Sequence, residues 1–319
     1  MANVSVNRIV NALTVDVEDY FQVSAFDRVV ARDRWHEYET RVAANTDRLL
    51  GIFAEAGVKA TFFVLGWVAD HDGSIVRRIA DAGHEVASHG YGHRLVYDLT
   101  PEAFREDVRR ARRVLQDLSG QPVGGYRAPS FSITERSLWA LDVLMEEGYQ
   151  YDASIFPIRH DRYGIPGAPR HPFRVGVGRG FSLAGVGRPF RVADVGRPFR
   201  VASDNEPGLL EIPASTVRLA GMNLPIAGGG YFRLLPFWWT RFGIARVNEA
   251  EGKPVIFYVH PWEVDPGQPR LNASLVSRFR HYRNLQQTER RLRRLLRRFA
   301  FGTIEDSLLP GLAVPVAAA

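Results

Sequence analysis

A chain of 319 residues that is 45% hydrophobic and 24% charged can bury one large core or two ordinary ones. It has no cysteine, which excludes disulfides and thiolate ligands, so any metal must sit on His, Asp or Glu. The net charge of +6 is local: nine arginines and one glutamate fall within 278–298, and the remainder is close to neutral.

Residues 1–12 hold one arginine and no long apolar run, and no stretch approaches the roughly 18–20 apolar residues of a membrane span. The expectation is a soluble, cytoplasmic protein without a cleaved signal peptide. The missing cysteines fit a reducing compartment.

In chain order, Ala12-Leu13-Thr14-Val15 is an apolar, β-branched run that predicts a buried strand. It ends in the acidic cluster Asp16-Val17-Glu18-Asp19. The spacing of Leu49, Leu50 and Phe53 predicts a helix over 45–56, stopped by Gly57. Ala60-Thr61-Phe62-Phe63-Val64-Leu65 is a second strand, 74–82 a helix closed by Gly83, and Glu85-Val86-Ala87-Ser88 a third strand. Thr100-Pro101 starts a helix that runs to Leu118. Gly125-Tyr126-Arg127-Ala128-Pro129 is another strand end. Thr134 caps a helix to Glu147, and Tyr151-Asp152-Ala153-Ser154 follows. Further strands are predicted at 209–212 and 255–259.

Strand and helix alternate across 12–155, which argues for parallel strands with crossover helices. Polar chemistry follows the apolar runs, as at the C-terminal ends of strands in an α/β barrel. A barrel-like α/β domain is therefore expected, with an open doubly wound sheet as the alternative. Val-Gly-Arg-Pro-Phe-Arg-Val-Ala occurs twice, at 186–193 and 195–202. Two copies are too few for a solenoid. The segment 172–203 is expected to be an exposed Gly/Arg-rich insertion, or else a substrate-contacting flap.

His89 and His93, in Ser88-His89-Gly90-Tyr91-Gly92-His93, are the strongest site signal. Two imidazoles and one carboxylate form the minimal shell of a catalytic zinc-type site, with one position left for water. Three carboxylates in four residues repel one another and call for a cation or an arginine nearby. Asp16 is the expected general base. Either Glu18 or Asp19 is the metal carboxylate: a strand puts Glu18 on the face of Asp16, whereas a turn could present Asp19.

Arg127 is fixed by the Ala128-Pro129 step and could orient Asp16 with a two-pronged grip. His260 ends the apolar strand and precedes Pro261-Trp262-Glu263, placed as a general acid is. It needs an acidic neighbour to keep its proton. Glu211 and Asp152 are the candidates for that partner.

Together these phrases resemble the polysaccharide deacetylases of carbohydrate esterase family 4, the NodB homology domain. The likeness rests on Leu13-Thr14-Val15-Asp16-Val17-Glu18-Asp19-Tyr20-Phe21, Ala60-Thr61-Phe62-Phe63 and Gly83-His84-Glu85-Val86-Ala87-Ser88-His89. Tyr126-Arg127-Ala128-Pro129-Ser130 and His260-Pro261-Trp262-Glu263 complete it. It covers about 10–265 and is nearest to the subgroup associated with exopolysaccharide loci and the exosortase system.

The resemblance implies a deformed (β/α) barrel of seven strands. It also implies a divalent metal, zinc foremost with cobalt, nickel or manganese as alternatives, and an N-acetylated saccharide substrate. By that likeness His89 and His93 are ligands, Asp16 is the base, Arg127 orients it, and His260 is the acid. A backbone N–H near Ser130 would stabilise the oxyanion, with Tyr126 and Trp262 contacting substrate. The chain departs from the family's adjacent aspartate pair through Asp16-x-Glu18-Asp19.

Residues 266–319 are expected to be a basic helical C-terminal extension. Within it, 288–299 is amphipathic, with Leu292, Leu295, Leu296 and Phe299 on one face. It should pack on the barrel. A membrane-surface or anionic-polymer contact through 278–298 is the alternative, and no nucleic-acid motif accompanies the charge. Gly228-Gly229-Gly230-Tyr231-Phe232 with Phe237-Trp238-Trp239 could be core or a sugar platform. Two other functions stay open: a same-fold amidohydrolase acting on a small cyclic amide or ureide, and an inactive scaffold.

Overall fold

The computed structural model describes residues 9–176 and 208–309. The duplicated octapeptide and the last ten residues lie outside them.

Strand β1 (Val10–Val17) is buried from its second residue onward, as expected of an apolar run at the centre of a parallel sheet. Its side chains alternate between two destinations. Leu13, Val15 and Val17 pack outward in the main hydrophobic cluster. Ala12, Thr14 and Asp16 lie on the other face. Helix α1 (Val42–Ala56) returns the chain to β2 (Thr61–Val64). The short α2 (Gly66–His71) and α3 (Gly73–Asp81) lead to β3 (Glu85–Ser88). Then come α4 (Pro101–Ser119), β4 (Gly125–Tyr126), α5 (Trp139–Glu146) and β5 (Tyr151–Asp152).

Strand β6 (Phe173–Gly176) pairs antiparallel with β7 (Gly208–Glu211). The hairpin β8 (Thr216–Leu219) and β9 (Met222–Pro225) precedes α6 (Gly229–Leu234), α7 (Phe237–Ala250) and β10 (Ile256–Val259). The chain continues through α8 (Leu275–Tyr282), α9 (Leu285–Arg298), β11 (Ala300–Gly302) and α10 (Ile304–Leu308).

Among the described residues, seven parallel strands run in the order β10-β1-β2-β3-β4-β5-β7 within a nine-stranded sheet, and β11 also runs parallel to β1. This is the α/β, barrel-like architecture expected from the strand–helix alternation. The lumen is filled by small and large residues in turn, among them Ala12, Phe63, Ala87, Tyr151, Leu210 and Ile256.

The barrel is deformed where β7 would meet β10. There the segment after β7 seals the seam. Ile256 N–H donates to Ser215 Oγ (2.8 Å) and Tyr258 N–H to Ala227 O (2.7 Å). Gly228 bridges to Tyr258 at φ 123°, a conformation that favours glycine. A Cβ there would lie 2.0 Å from Tyr258 O.

Two readings of the sequence need correction. The helix assigned from Thr134 begins at Trp139, because Ser137 Oγ donates to Ser132 O and accepts from Thr134 N–H, holding 132–137 as a turn. The C-terminal stretch is not only helical: β11 pairs with β1 at Val10–Ala12. Helix α9 buries Leu292, Leu295 and Leu296, as its amphipathic pattern predicts. Among the described residues, no helix is long and apolar enough to cross a membrane.

Candidate active site

Asp16 sits at the end of β1 and Glu18 just beyond it. His89 follows β3, Arg127 follows β4 and His260 follows β10. Parallel pairing puts all these termini at one end of the barrel. They line a cleft of about 740 Å³, except Arg127, which lies beneath it.

The histidine loop is held from several sides. Gly66 and Trp67 N–H groups donate to Gly90 O and Tyr91 O, each at 2.9 Å. Asp107 accepts from Tyr91 N–H (2.7 Å) and Gly92 N–H. Arg32 donates to Gly92 O and His93 O. These contacts keep His93 in the left-handed region at φ 49°.

His89 Nδ1 donates to Arg127 O (2.8 Å), which leaves the Nε2 lone pair for a ligand. Burial pushes His89 down to about 4, against the pull of Asp16, so its imidazole is neutral at neutral pH. Glu18 Oε2 lies 2.7 Å from His93 Nε2, while Oε1 accepts from Trp262 Nε1 (3.1 Å).

Glu18, His89 and His93 offer ligand atoms that all lie within 4.8 Å of one another, and all three residues are buried. Neither Glu18 Oε2 nor His93 Nδ1 has a well-formed hydrogen bond. A buried carboxylate oxygen beside two imidazoles, without a donor of its own, is the donor set a divalent cation completes. Burial opposes ionisation of Glu18, yet His93, then His260 and His89, hold it at about 2.

Asp19 is turned elsewhere. Its carboxylate accepts from the backbone N–H of Tyr20 (2.8 Å), Arg41 (2.6 Å) and Val42 (3.0 Å), so it fastens the start of α1. Of the two acids the sequence left open, the geometry brings Glu18 to the imidazoles.

Arg127 is fully buried. Its Nη1 donates to Asp16 Oδ1 (2.6 Å) and Thr14 Oγ1 (2.8 Å), and its Nε to Ala153 O (3.2 Å). The guanidinium lies 4.2 Å from the centre of the Phe63 ring. It grips Asp16 through one nitrogen.

His260 Nε2 stands 3.9 Å from Asp16 Oδ2 and 3.8 Å from Glu18 Oε1. Its acidic partner is Glu263, whose Oε2 lies 3.1 Å from Nδ1. Burial disfavours the charged imidazole, but Glu263, with Glu18 and Asp16 beyond, raises it to about 9. Glu263 in turn is held by Arg233 Nε at 2.6 Å. Glu211 and Asp152 are not that partner. They are cross-strand neighbours on β7 and β5, and burial pushes both carboxyls up. Ser154 Oγ donates to Asp152 and Ile155 N–H to Glu211.

Ser130 and Trp262 line the cleft. Ser130 is left-handed (φ 52°), and its hydroxyl bonds to that of Ser24 (2.8 Å). Tyr126 does not reach the cleft. It is buried among Phe104, Tyr149 and the α4–α5 core. Of the aromatic run, Tyr231 lines the cleft, whereas Trp239 packs on the core and Trp238 faces outward.

Residues 26–151 match the polysaccharide deacetylase family. The chain is similar to that family over these residues. That family comprises hydrolases acting on N-acetyl amide bonds. A Helicobacter pylori peptidoglycan deacetylase is 32% identical over 108 residues, which are 34% of this chain and 36% of that one. A Bacillus cereus peptidoglycan-N-acetylglucosamine deacetylase is 33% identical over 98 residues, 30% of this chain and 36% of the relative. The matches thus span about a third of these relatives' length. The fold matches a polysaccharide deacetylase-like crystal structure from Mycobacterium smegmatis, with TM-score 0.53, 19% identity, and 95% and 88% of the two chains covered.

Residues 186–309 match a second family, described as a domain of unknown function (DUF3473). In the fold the described part of this segment, 208–309, is no separate body. Its β10 and β11 both pair with β1, and it supplies His260 and Arg233 to the cleft and Glu263 behind His260.

Proposed function

We propose that this protein is a metal-dependent N-deacetylase of an amino-sugar polysaccharide, acting in exopolysaccharide biosynthesis. One observation carries the reading. Glu18, His89 and His93 form a cation-ready cluster that lines one cleft with Asp16 and His260, and Arg127 and Glu263 back these two from beneath.

Glu18, His89 and His93 would hold the metal, zinc being the best match to the donor set. Its chemistry when bound is Lewis acidity toward water and the amide carbonyl. Asp16, fixed by Arg127, accepts the proton of the attacking water. A backbone N–H near Ser130 would donate to the developing oxyanion. An amine leaves poorly unless protonated, and His260 carries the proton it needs. Acetate and a free amino sugar are the products.

The cleft favours a saccharide over a small cyclic amide. Its volume lies toward the upper end of the roughly 300–1,000 Å³ typical of ligand sites. It is open and extends from the acids past Tyr231 and Tyr163 to α8. An inactive scaffold would not need to retain base, acid and three ligand groups together.

The test is acetate release from N-acetylglucosamine oligomers by zinc-loaded protein, before and after chelation. Release that stops on chelation and returns with zinc supports the reading. A protein that binds no divalent ion, or releases acetate regardless of chelator, overturns it.

A further inference from the structure

The basic C-terminal region presents a surface at the rim of the cleft that carries none of the proposed base, acid or metal-holding groups. Helix α9 carries most of the arginines, yet much of its basic face is engaged within the fold. Arg291 donates to the carbonyls of Phe232, Arg233 and Leu235. Arg293 pairs with Glu55 and Glu289. Arg294 lies over Phe237.

Helix α8 is different. It seats His281 and Tyr282 inward on Phe26. Outward it shows Leu275, Val276 and Phe279, which are 81%, 60% and 58% exposed. Positions i, i+1 and i+4 share one face of a helix. Three large apolar side chains together in solvent are not explained by packing.

Their setting is cationic. Residues 266–288 contain four arginines and no acid. Arg283 lies over the Phe279 ring, and Arg270 over Tyr282. Among the described residues, no carboxylate pairs with Arg278 or Arg280. Ser274, Val276, Ser277 and Arg280 of the same stretch also form one wall of the cleft.

We propose that α8 docks on the surface of an anionic lipid bilayer, with Leu275, Val276 and Phe279 inserted among the acyl chains and Arg278 and Arg280 among the headgroups. Apolar insertion flanked by arginines is the chemistry of interfacial helices, and the arginine excess of this stretch selects a negative surface. Docked in this way, the cleft opens beside the membrane.

The full chain is tested by co-sedimentation with phosphatidylcholine vesicles containing about 30% phosphatidylglycerol, against phosphatidylcholine alone. Binding should be about tenfold weaker on neutral vesicles and should fall with added salt. Leu275→Ser/Phe279→Ser should weaken it at least about tenfold, and Arg278→Gln about fivefold, with melting temperature unchanged. Three results would overturn the proposal: no binding, equal binding by the variants, or a dimer in solution that the Leu275→Ser/Phe279→Ser pair abolishes. Vesicle binding needs no turnover, so its failure leaves the deacetylase reading standing, and the converse holds.

Discussion

Glu263 stands three residues after His260 on the turn that follows β10, with its Oε2 3.1 Å from His260 Nδ1. Glu263 is itself completely buried and held at about 2, because Arg233 and His260 outweigh the cost of burial. The acid of the proposed reaction thus depends on a carboxylate that never meets substrate.

The consequence is a pH dependence. A general acid works while protonated, so activity is lost as pH rises through the His260 value of about 9. In Glu263→Gln the main influence raising that value is gone. The alkaline limb of kcat should move to lower pH, and the loss should be greater at about pH 8 than at about pH 6. A pH–rate profile checks it. An unmoved limb would mean that His260 is not the group whose deprotonation ends activity.

Glu18 and Asp19 are adjacent, both buried, and predicted to fail in different ways. Glu18→Gln removes a ligand, so bound zinc per chain should fall sharply while folding is retained. Asp19→Ala strips the partner from backbone N–H groups at the start of α1, at a cost of about 1–3 kcal/mol. It should keep its zinc. Metal content and denaturant melts on the two proteins separate the roles, and zinc loss in the Asp19 variant would sink the assignment.

Much of this site was legible because central parallel strands are unbroken apolar runs, so the polar residue that ends each run marks one rim. Asp16, His89, Arg127 and His260 all follow from that logic. The choice between Glu18 and Asp19 did not, since it turns on Arg41 and Val42 arriving beside Asp19, a tertiary fact. Glu263 carried a signal that went unused: an acid three residues after a strand end, with proline at the first helical position, is a capping pattern. Arg233 carried none, being one arginine among many. Tyr126 sat beside Arg127 in the motif, but strand alternation sends neighbours to opposite faces, and so into the α4–α5 core.

Arg127→Lys tests the positioning of the base. Lysine keeps the charge but cannot reach Asp16, Thr14 and Ala153 O at once as the planar guanidinium does. The expected result is kcat lower by about 10- to 100-fold with KM nearly unchanged. Arg127→Met should do more, leaving Asp16 buried without its hydrogen-bonded counter-charge, at a stability cost of up to about 3–5 kcal/mol. Steady-state kinetics and melts of both variants decide it. A rise in KM alone would make Arg127 a substrate contact instead.

The seam between β7 and β10 supplies the last test, because it is where the barrel closes without a regular ladder. Tyr258 N–H is satisfied by Ala227 O, and Gly228 must stay at φ 123° for the chain to pass Tyr258 O. Gly228→Ala places a methyl where the carbonyl already stands. The seam must open or the strand must shift, at a cost of at least about 2–3 kcal/mol. Gly230→Ala is the control: a Cβ there meets nothing within 4 Å, and the position is inside α6, where alanine is favoured by up to about 1 kcal/mol. The first variant should melt well below the parent, and the second at or slightly above it. Because Tyr258 lies on β10 two residues before His260, opening the seam also displaces the acid. Gly228→Ala should therefore lose deacetylation at temperatures where circular dichroism still reports a folded protein.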